Sequence, residues 1–357
     1  MKYCPEDENS LSNFISKELI KTAGKKVLVT GANGFLGTNI VHALLEDKEK
    51  YEIRAFGLPK DSTKYIEHER VEIILGDVLS ISDVNRVVKG VDYIIHSAGD
   101  TSFWSRRFKL QRRINIEGTR NVFEAAIKEG VKRVIHTATI DTIGINPDGL
   151  TDEFWTEFTY AGTKNVYAES KRVAEQLVFS FVDKGLIDAV IINPGSMIGP
   201  FDHTLQYGRL YGELQRGEVP GIPSGGVSWA HVVEVAKAHV TALKHGRIGQ
   251  RYICAGENVS YEEVFKEIAE IVGGKPPKTV FPKFFLVLYG ALCEFISFFS
   301  GKPPEINTGH ARYMSMFPAM NSTKAQKELG YRVIPVKVMI KDAYDWYVEN
   351  GFLEPKK

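Results

Sequence analysis

Only three cysteines, Cys4, Cys254 and Cys293, occur in the 357 residues, and they lie far apart in sequence. That spacing suits neither a disulfide framework nor a cysteine zinc site, so the expected setting is a reducing, cytoplasmic one. The nine histidines show no HExxH or similar ligand spacing, so no metal is expected. Charge of one sign is missing too. Forty-five Lys and Arg against 44 Asp and Glu leave a net +1, which argues against nucleic acid or an anionic membrane as the main partner. Residues 1–24 carry the acids Glu6, Asp7 and Glu8 and no long apolar core, so they read as an N-terminal extension rather than a secretory signal. Within it, residues 11–20 have the pattern of a short amphipathic helix. No apolar run reaches the roughly 20 residues a membrane span needs. The longest, residues 284–299, is interrupted by Glu294. Its plainer reading is a buried helix of a smaller domain. Its sharper reading is a helix making weak contact with lipid or guiding an apolar substrate.

What is present is alternation. Short β-branched runs at 26–30, 53–56, 71–75, 91–96, 133–137 and 189–193 are separated by helical periodicity at 39–45, 114–128 and 166–182. Strands separated by helices imply parallel pairing with right-handed crossovers, hence an α/β Rossmann doubly wound sheet. A helix at 231–244 and a strand at 251–255 read as a return to that sheet. The expected division is a sheet domain over 25–195 and 227–255 and a smaller, mostly helical substrate domain over 196–226 and 256–357. No internal repeat or low-complexity linker is present.

Ligands of such sheets bind beyond the carboxyl ends of the strands, and the chemistry-bearing residues follow strand ends. After the first comes Thr30-Gly31-Ala32-Asn33-Gly34-Phe35-Leu36-Gly37. Gly31 permits a tight turn, Gly34 lets a pyrophosphate approach, and Gly37 lets the following helix pack on its strand. The helix N-terminus favours the phosphate charge. The second strand is followed by Lys60, the third by Asp77-Val78, the fourth by Ala98-Gly99, the fifth, ending in Thr137, by Thr139, and the sixth by Pro194-Gly195-Ser196.

Two stretches satisfy YxxxK: Tyr160 to Lys164 and Tyr167 to Lys171. Gly162 and Thr163 are poor in a helix interior and suit a helix start, whereas the residues from Val166 onward are strong helix formers. The helix therefore carries Tyr167 and Lys171 one turn apart on one face. A free tyrosine titrates near ~10, and an adjacent ammonium would favour its phenolate.

The TGxxGxxG spacing, the Tyr167/Lys171 pair continuing as SKxxAE, and Asn193-Pro194 leading to Gly199-Pro200 together resemble the extended short-chain dehydrogenase/reductases. Trp229-Ala-His231-Val232 and the late segment from Asn321 to Tyr331 add to the resemblance. It covers about residues 25–353 and is strongest to the dihydroflavonol-reductase and 3β-hydroxysteroid-dehydrogenase branch.

The resemblance implies an NAD(P)-dependent oxidoreductase with Thr139, Tyr167 and Lys171 as its catalytic set. It assigns cofactor contacts to Asn33, Phe35, Leu36, Asp77, Val78, Ala98, Gly99, Thr137, Pro194, Gly195 and Ser196. Asn115 would support the nicotinamide side of the site. Relatives are often homodimers through paired helices of the sheet domain. No acid stands at the tip of the second strand and Lys60 lies just beyond, which leans the cofactor to NADP rather than NAD.

Two departures bear on substrate. Nucleotide-sugar epimerases carry Arg-Asp where this chain has Val227-Ser228, and sugar dehydratases follow the threonine with Asp-Glu where it has Ile140-Asp141. Both favour simple interconversion of a ketone or aldehyde with an alcohol on a fairly apolar small molecule. Trp104, Met197, His203, Tyr207 and Trp229 are the candidate substrate contacts, each equally readable as packing. The alternatives are an epimerase or dehydratase holding NAD through turnover, and a non-catalytic cofactor-binding sensor.

Overall fold

The structure, a computed structural model, describes residues 24–102, 104–161 and 165–356. The extension at 1–23, and Gly162, Thr163 and Lys164 of the first YxxxK stretch, lie outside the described residues.

Seven parallel strands form the central sheet: β1 Lys26–Thr30, β2 Glu52–Gly57, β3 Val71–Leu75, β4 Tyr93–His96, β5 Arg133–Thr137, β6 Ala189–Pro194 and, later in the chain, Arg251–Cys254. Counted from the Arg251–Cys254 edge, the order runs through β6, β5, β4, β1, β2 and β3. The chain order therefore reverses between β1 and β4, and the crevice at that switch point is where a ligand is received.

The strands are apolar on both faces because both are covered. On β1, Val27 and Val29 join one core, with the helices α1 Phe35–Glu46 and Val232–His245, while Leu28 joins the other. The core on that opposite face of the sheet holds α2 Ile81–Val88 and Thr119–Glu129, and it includes Val178 and Phe181 of Val166–Asp183. Each fully buried aliphatic side chain of this kind contributes about 1.5–3 kcal/mol.

The helix expected over 114–128 is more complex. A helical turn at Phe108–Arg112 passes through a π turn at Arg113–Gly118 before Thr119–Glu129 begins. The wide turn carries Asn115. Its Oδ1 accepts from the Asp100 amide at 2.8 Å, and its Nδ2 donates to the Asp100 carbonyl and to Ser170 Oγ.

The second domain contains small sheets as well as helices. Gly226–His231 pairs with Ser196–Ile198 and Asn258–Ser260, not with the central sheet. In the stretch 227–231, assigned by sequence to the sheet domain, Val227 and Trp229 pack into the core of the smaller sheets (the second core), around Tyr211, Phe265 and Met339, whereas Ala230 packs into the core that holds Val27 and Val29. The tight β pattern of this stretch reads alike in either sheet, and only partner strands distinguish them.

The helix Lys283–Ser300 overturns the plainer reading of the apolar run. Only Leu286, Gly290 and Ser297 are buried, while Phe284, Phe295, Phe298 and Phe299 face outward.

Candidate active site

A cleft of about 780 Å³ opens over the carboxyl ends of β1, β2, β4, β5 and β6. Its floor at one end is the glycine turn. A Cβ on Gly37 would lie 1.9 Å from the Gly31 carbonyl oxygen, so the turn packs against α1 with no room for a side chain. Gly31 has φ 68°, which disfavours L side chains, and its own Cβ would meet Ala98 Cα at 2.8 Å. Gly34 faces the cleft, where a Cβ would approach only the Gly31 carbonyl. Asn33 ties this turn to the loop after β2, its Nδ2 donating to the Leu58 and Asp61 carbonyls. This arrangement of bare backbone at the start of α1 fits a dinucleotide pyrophosphate.

Lys60, Asp77, Val78, Ala98, Gly99, Pro194 and Gly195 line the same cleft, as do Asn33, Phe35 and Leu36. Asp77 Oδ1 accepts the Leu79 amide at 2.9 Å, so the carboxylate also holds its own turn. Asp61 lines the cleft beside Lys60. Thr137 lines it too, yet its hydroxyl is 2.9 Å from buried His239 Nε2 and serves the strand–helix packing. Asn115 lies behind the cleft in the network already described. Ser196 turns away, its hydroxyl 2.5 Å from the Tyr207 hydroxyl.

Thr139, Tyr167 and Lys171 converge on one wall. Asn165 caps the helix Val166–Asp183, its side chain accepting the Ala168 amide at 3.1 Å. The described helix starts at this cap. Lys171 Nζ donates to the Thr137 carbonyl at 2.5 Å. Thr139 Oγ1 accepts the Asp141 amide, and the Thr139 hydroxyl also hydrogen-bonds Tyr167. Tyr160 stands apart from the cleft: it is almost fully buried and hydrogen-bonded to Asp141.

The electrostatics differ from a simple phenol–ammonium pair. Burial raises the Tyr167 phenol above its usual range, and the Asp141 charge raises it further, opposed by the Thr139 hydroxyl. Burial lowers Lys171 to about 8, opposed by Glu175. Asp141 is itself pushed up to about 6 by burial, although hydrogen bonds from Tyr313, Thr139 and Tyr160 oppose the rise. In the protein alone, desolvation outweighs pairing at this wall.

Of the candidate substrate contacts, Met197 alone lines the cleft. Trp229 is fully buried in the second core, its indole donating to the Val259 carbonyl and its ring meeting Tyr207 and Tyr261 edge-on. His203 lies between the Phe201 and Asn33 carbonyls and braces the glycine turn from behind. Tyr207 packs on Trp229, and Trp104 sits half-buried before the turn Ser105–Arg107.

Sequence reading missed the opposite rim. Arg107 and Asp100 form an ion pair at 2.7 Å, with Leu110 and Ile114 one turn apart beside them. Gln206 reaches the cleft from the loop anchored by Asp202, which accepts the Gln206 and Tyr207 amides and the Tyr347 hydroxyl. The i,i+4 spacing of Leu110 and Ile114 was a usable signal. Nothing local marks Gln206.

Among characterised proteins, the chain is 28% identical to "Sterol demethylase protein B" of Methylococcus capsulatus, covering 91% of this chain and 99% of that one. It is 27% identical to a "Putative dihydroflavonol 4-reductase" of Synechocystis sp., covering 91% and 95%. Among solved structures, gox2253 superposes with a TM-score of 0.80 at 29% identity, over 92% of this chain and all of that one. DesIV, a dTDP-glucose 4,6-dehydratase from Streptomyces venezuelae with NAD and TYD bound, shares the fold with a TM-score of 0.74 at 21% identity, over 93% and 100%. The profile described as "NAD dependent epimerase/dehydratase family" matches residues 27–255, well over half of the chain. The glycine turn, the switch-point cleft and that match make this chain a member of the NAD-dependent epimerase/dehydratase family, the extended short-chain dehydrogenase/reductases, and an NAD(P)-dependent oxidoreductase of that type.

Proposed function

We propose that the protein interconverts a ketone or aldehyde with an alcohol on a fairly apolar, ring-containing molecule. The observation that carries this reading is the convergence of Thr139, Tyr167 and Lys171 on one wall of the cleft that begins at the glycine turn. The dinucleotide, when bound, supplies or accepts the hydride.

The chain's own groups do the rest. The Thr139 hydroxyl orients the substrate oxygen and shares hydrogen bonding with Tyr167. Tyr167 Oη holds the proton that the substrate oxygen gains or loses. Lys171, anchored on the Thr137 carbonyl and one helical turn from Tyr167, lines the same cleft and would hold the hydroxyls of the nicotinamide ribose. In the dinucleotide-free protein the phenol stays protonated at neutral pH, its resting state as proton donor for reduction.

Leu110, Ile114 and Met197 give the substrate end an apolar wall. The sterol in the name of the Methylococcus relative and the dihydroflavonol in the name of the Synechocystis relative are both fused-ring carbon skeletons. Against a sugar diphosphate, Val227 and Ser228 are fully buried in the second core and present no cation. Lys60 supports an NADP preference, tempered by Asp61 next to it.

The test is a panel of apolar ketones and alcohols, read by nicotinamide absorbance with wild type and Tyr167→Phe. Turnover with net nicotinamide change, lost in the variant, supports the reading. Conversion of a nucleotide sugar with no net change supports the epimerase alternative, and tight dinucleotide binding with no turnover supports a sensor.

A further inference from the structure

The helix Lys283–Ser300 has its polarity reversed relative to an ordinary surface helix. Its protein-facing stripe is built largely from small and polar residues. A Cβ on Gly290 would lie 2.9 Å from the Asn307 carbonyl oxygen, Ser297 Oγ donates to the Lys302 carbonyl at 2.6 Å, and Glu294 accepts from Thr308 at 3.4 Å. Its large apolar residues point away from the protein. Phe284 and Phe299 are 72% exposed, Phe298 69% and Phe295 63%. Exposed Leu288 and Leu292 continue the surface between them.

We propose that this helix docks the protein on an anionic lipid surface, lying in the plane of the interface. Three observations select that occupant. First, the apolar residues cover the helix on all sides except the buried stripe, so they form a convex ridge. A second copy would cover one side of such a ridge, whereas headgroups and acyl chains close around it.

Second, the charges match. Over residues 273–302 the chain carries Lys275, Lys278, Lys283 and Lys302 against the single acid Glu294. Each of the four lysines is exposed, and they lie before and after the apolar stretch. Exposed Arg106 joins them, donating to the Phe298 carbonyl at 2.8 Å. This local basic rim stands out in a chain whose net charge is +1.

Third, the helix is held along its length. Its middle packs on Asn307 and Thr308, its end is tied to Arg106, and its start follows the short strand Val280–Phe281, paired with Ile222–Pro223. At 1.5 Å per residue it is about 27 Å long. A helix fastened at its middle and both ends lies on a bilayer and does not cross it.

Arg106 neighbours Arg107 and Leu110, which line the cleft, so the lipid-facing ridge adjoins the substrate rim. An apolar substrate dissolved in the bilayer would reach the cleft from this side. That last point rests on the function proposed above, whereas docking itself does not.

The test is flotation of the full chain with vesicles of phosphatidylcholine alone and of phosphatidylcholine mixed with phosphatidylglycerol. Binding to the mixed vesicles, weakening with salt and at least tenfold stronger than to the neutral ones, is expected. Phe295→Glu with Phe299→Glu should lower binding at least tenfold while circular dichroism and dinucleotide binding stay unchanged. Lys278→Ala with Lys283→Ala should lower it roughly fivefold per lysine. Absence of binding to mixed vesicles overturns the proposal without any variant. So does binding insensitive to the two Phe changes, or a vesicle-free dimer that those changes convert to monomer while no vesicles are bound. None of these readouts requires turnover, so failure of the docking and failure of the proposed reaction are separable.

Discussion

The Lys171 ammonium rests 2.5 Å from the carbonyl oxygen of Thr137, joining the helix Val166–Asp183 to the last residue of β5. That bond, with the packing of Val178 and Phe181 against the sheet, holds the helix in place. It brings Tyr167, one turn earlier, level with Thr139, two residues beyond the same strand. The cluster is thus aligned by a lysine held in a buried position, which has measurable costs.

One cost is stability. Burial lowers Lys171 to about 8, against about 10.4 for an exposed lysine. Between those values the folded protein binds fewer protons than the unfolded chain, so stability should rise with pH across that window. Below it, the charged buried amine costs about 3 kcal/mol. Lys171→Met should therefore stabilise the protein at pH 7 by about 1–3 kcal/mol while abolishing turnover. Urea unfolding at several pH values measures this. An equally large loss of stability would show that the Thr137 bond outweighs desolvation.

The two tyrosines should separate cleanly. Tyr167 lines the cleft, and Tyr160 is buried against Asp141. Tyr167→Phe should lower kcat about 10²–10⁴-fold with dinucleotide affinity intact. Tyr160→Phe should keep kcat within a few-fold and cost about 1 kcal/mol of stability through the lost hydrogen bond. The reverse pattern of kcat would remove Tyr167 from the mechanism.

Asp141 governs the phenol from behind the cleft. Its negative charge raises Tyr167, second only to burial. Asp141→Asn should lower the Tyr167 titration and shift the pH profile of alcohol oxidation toward acid by up to about one unit. The stability consequence has a defined sign. A carboxyl pushed up to about 6 is protonated when folded and ionised when unfolded between about 4 and 6. The stability it contributes is present at low pH and is lost as pH rises through about 6. The Asn variant should lack that slope in thermal melts taken from pH 4 to 7.

Cofactor choice can be read at the loop after β2. Lys60→Ala should weaken NADP binding about five- to tenfold and NAD binding less than twofold, whereas Asp61→Asn should weaken NAD more than NADP. Titration of each nucleotide by fluorescence gives the four constants. Equal losses for both nucleotides in Lys60→Ala would leave the lysine as a solvated loop residue.

Trp229 supplies the control for pocket against core. Being fully buried among Tyr207, Tyr261 and the Val259 carbonyl, it should lose about 3–5 kcal/mol of stability as Trp229→Ala. Its effect on substrate KM, at temperatures where the variant stays folded, should be small. Met197→Ala should do the opposite, since Met197 lines the cleft.

Much of this molecule was legible from local pattern. The alternation of strands and helices implied the sheet. TGANGFLG announced a backbone approach that only glycine permits at positions 31 and 37, and strong helix formers around Tyr167 ranked it above Tyr160. Periodicity and glycine sterics act within a few residues, so a one-dimensional reading captures them. The candidate substrate contacts were less legible. From sequence Trp104, His203, Tyr207 and Trp229 read equally as substrate contacts or as packing; none of them lines the cleft, His203 and Tyr207 contact neighbouring loops and Trp229 fills the second core.

The amino-acid sequence alone determined the element types, the glycine turn and the pairing of Tyr167 with Lys171, because propensity, sterics and helical spacing are local. Tertiary packing alone decided that Gly226–His231 joins the smaller sheet, that Gln206 reaches the cleft, that Asp141 sits behind the phenol, and that the apolar helix turns outward. Each of those depends on which distant surfaces meet and on how much water is excluded between them. Strand partners, desolvation and exposure are properties of contacts between segments, and no single segment carries them.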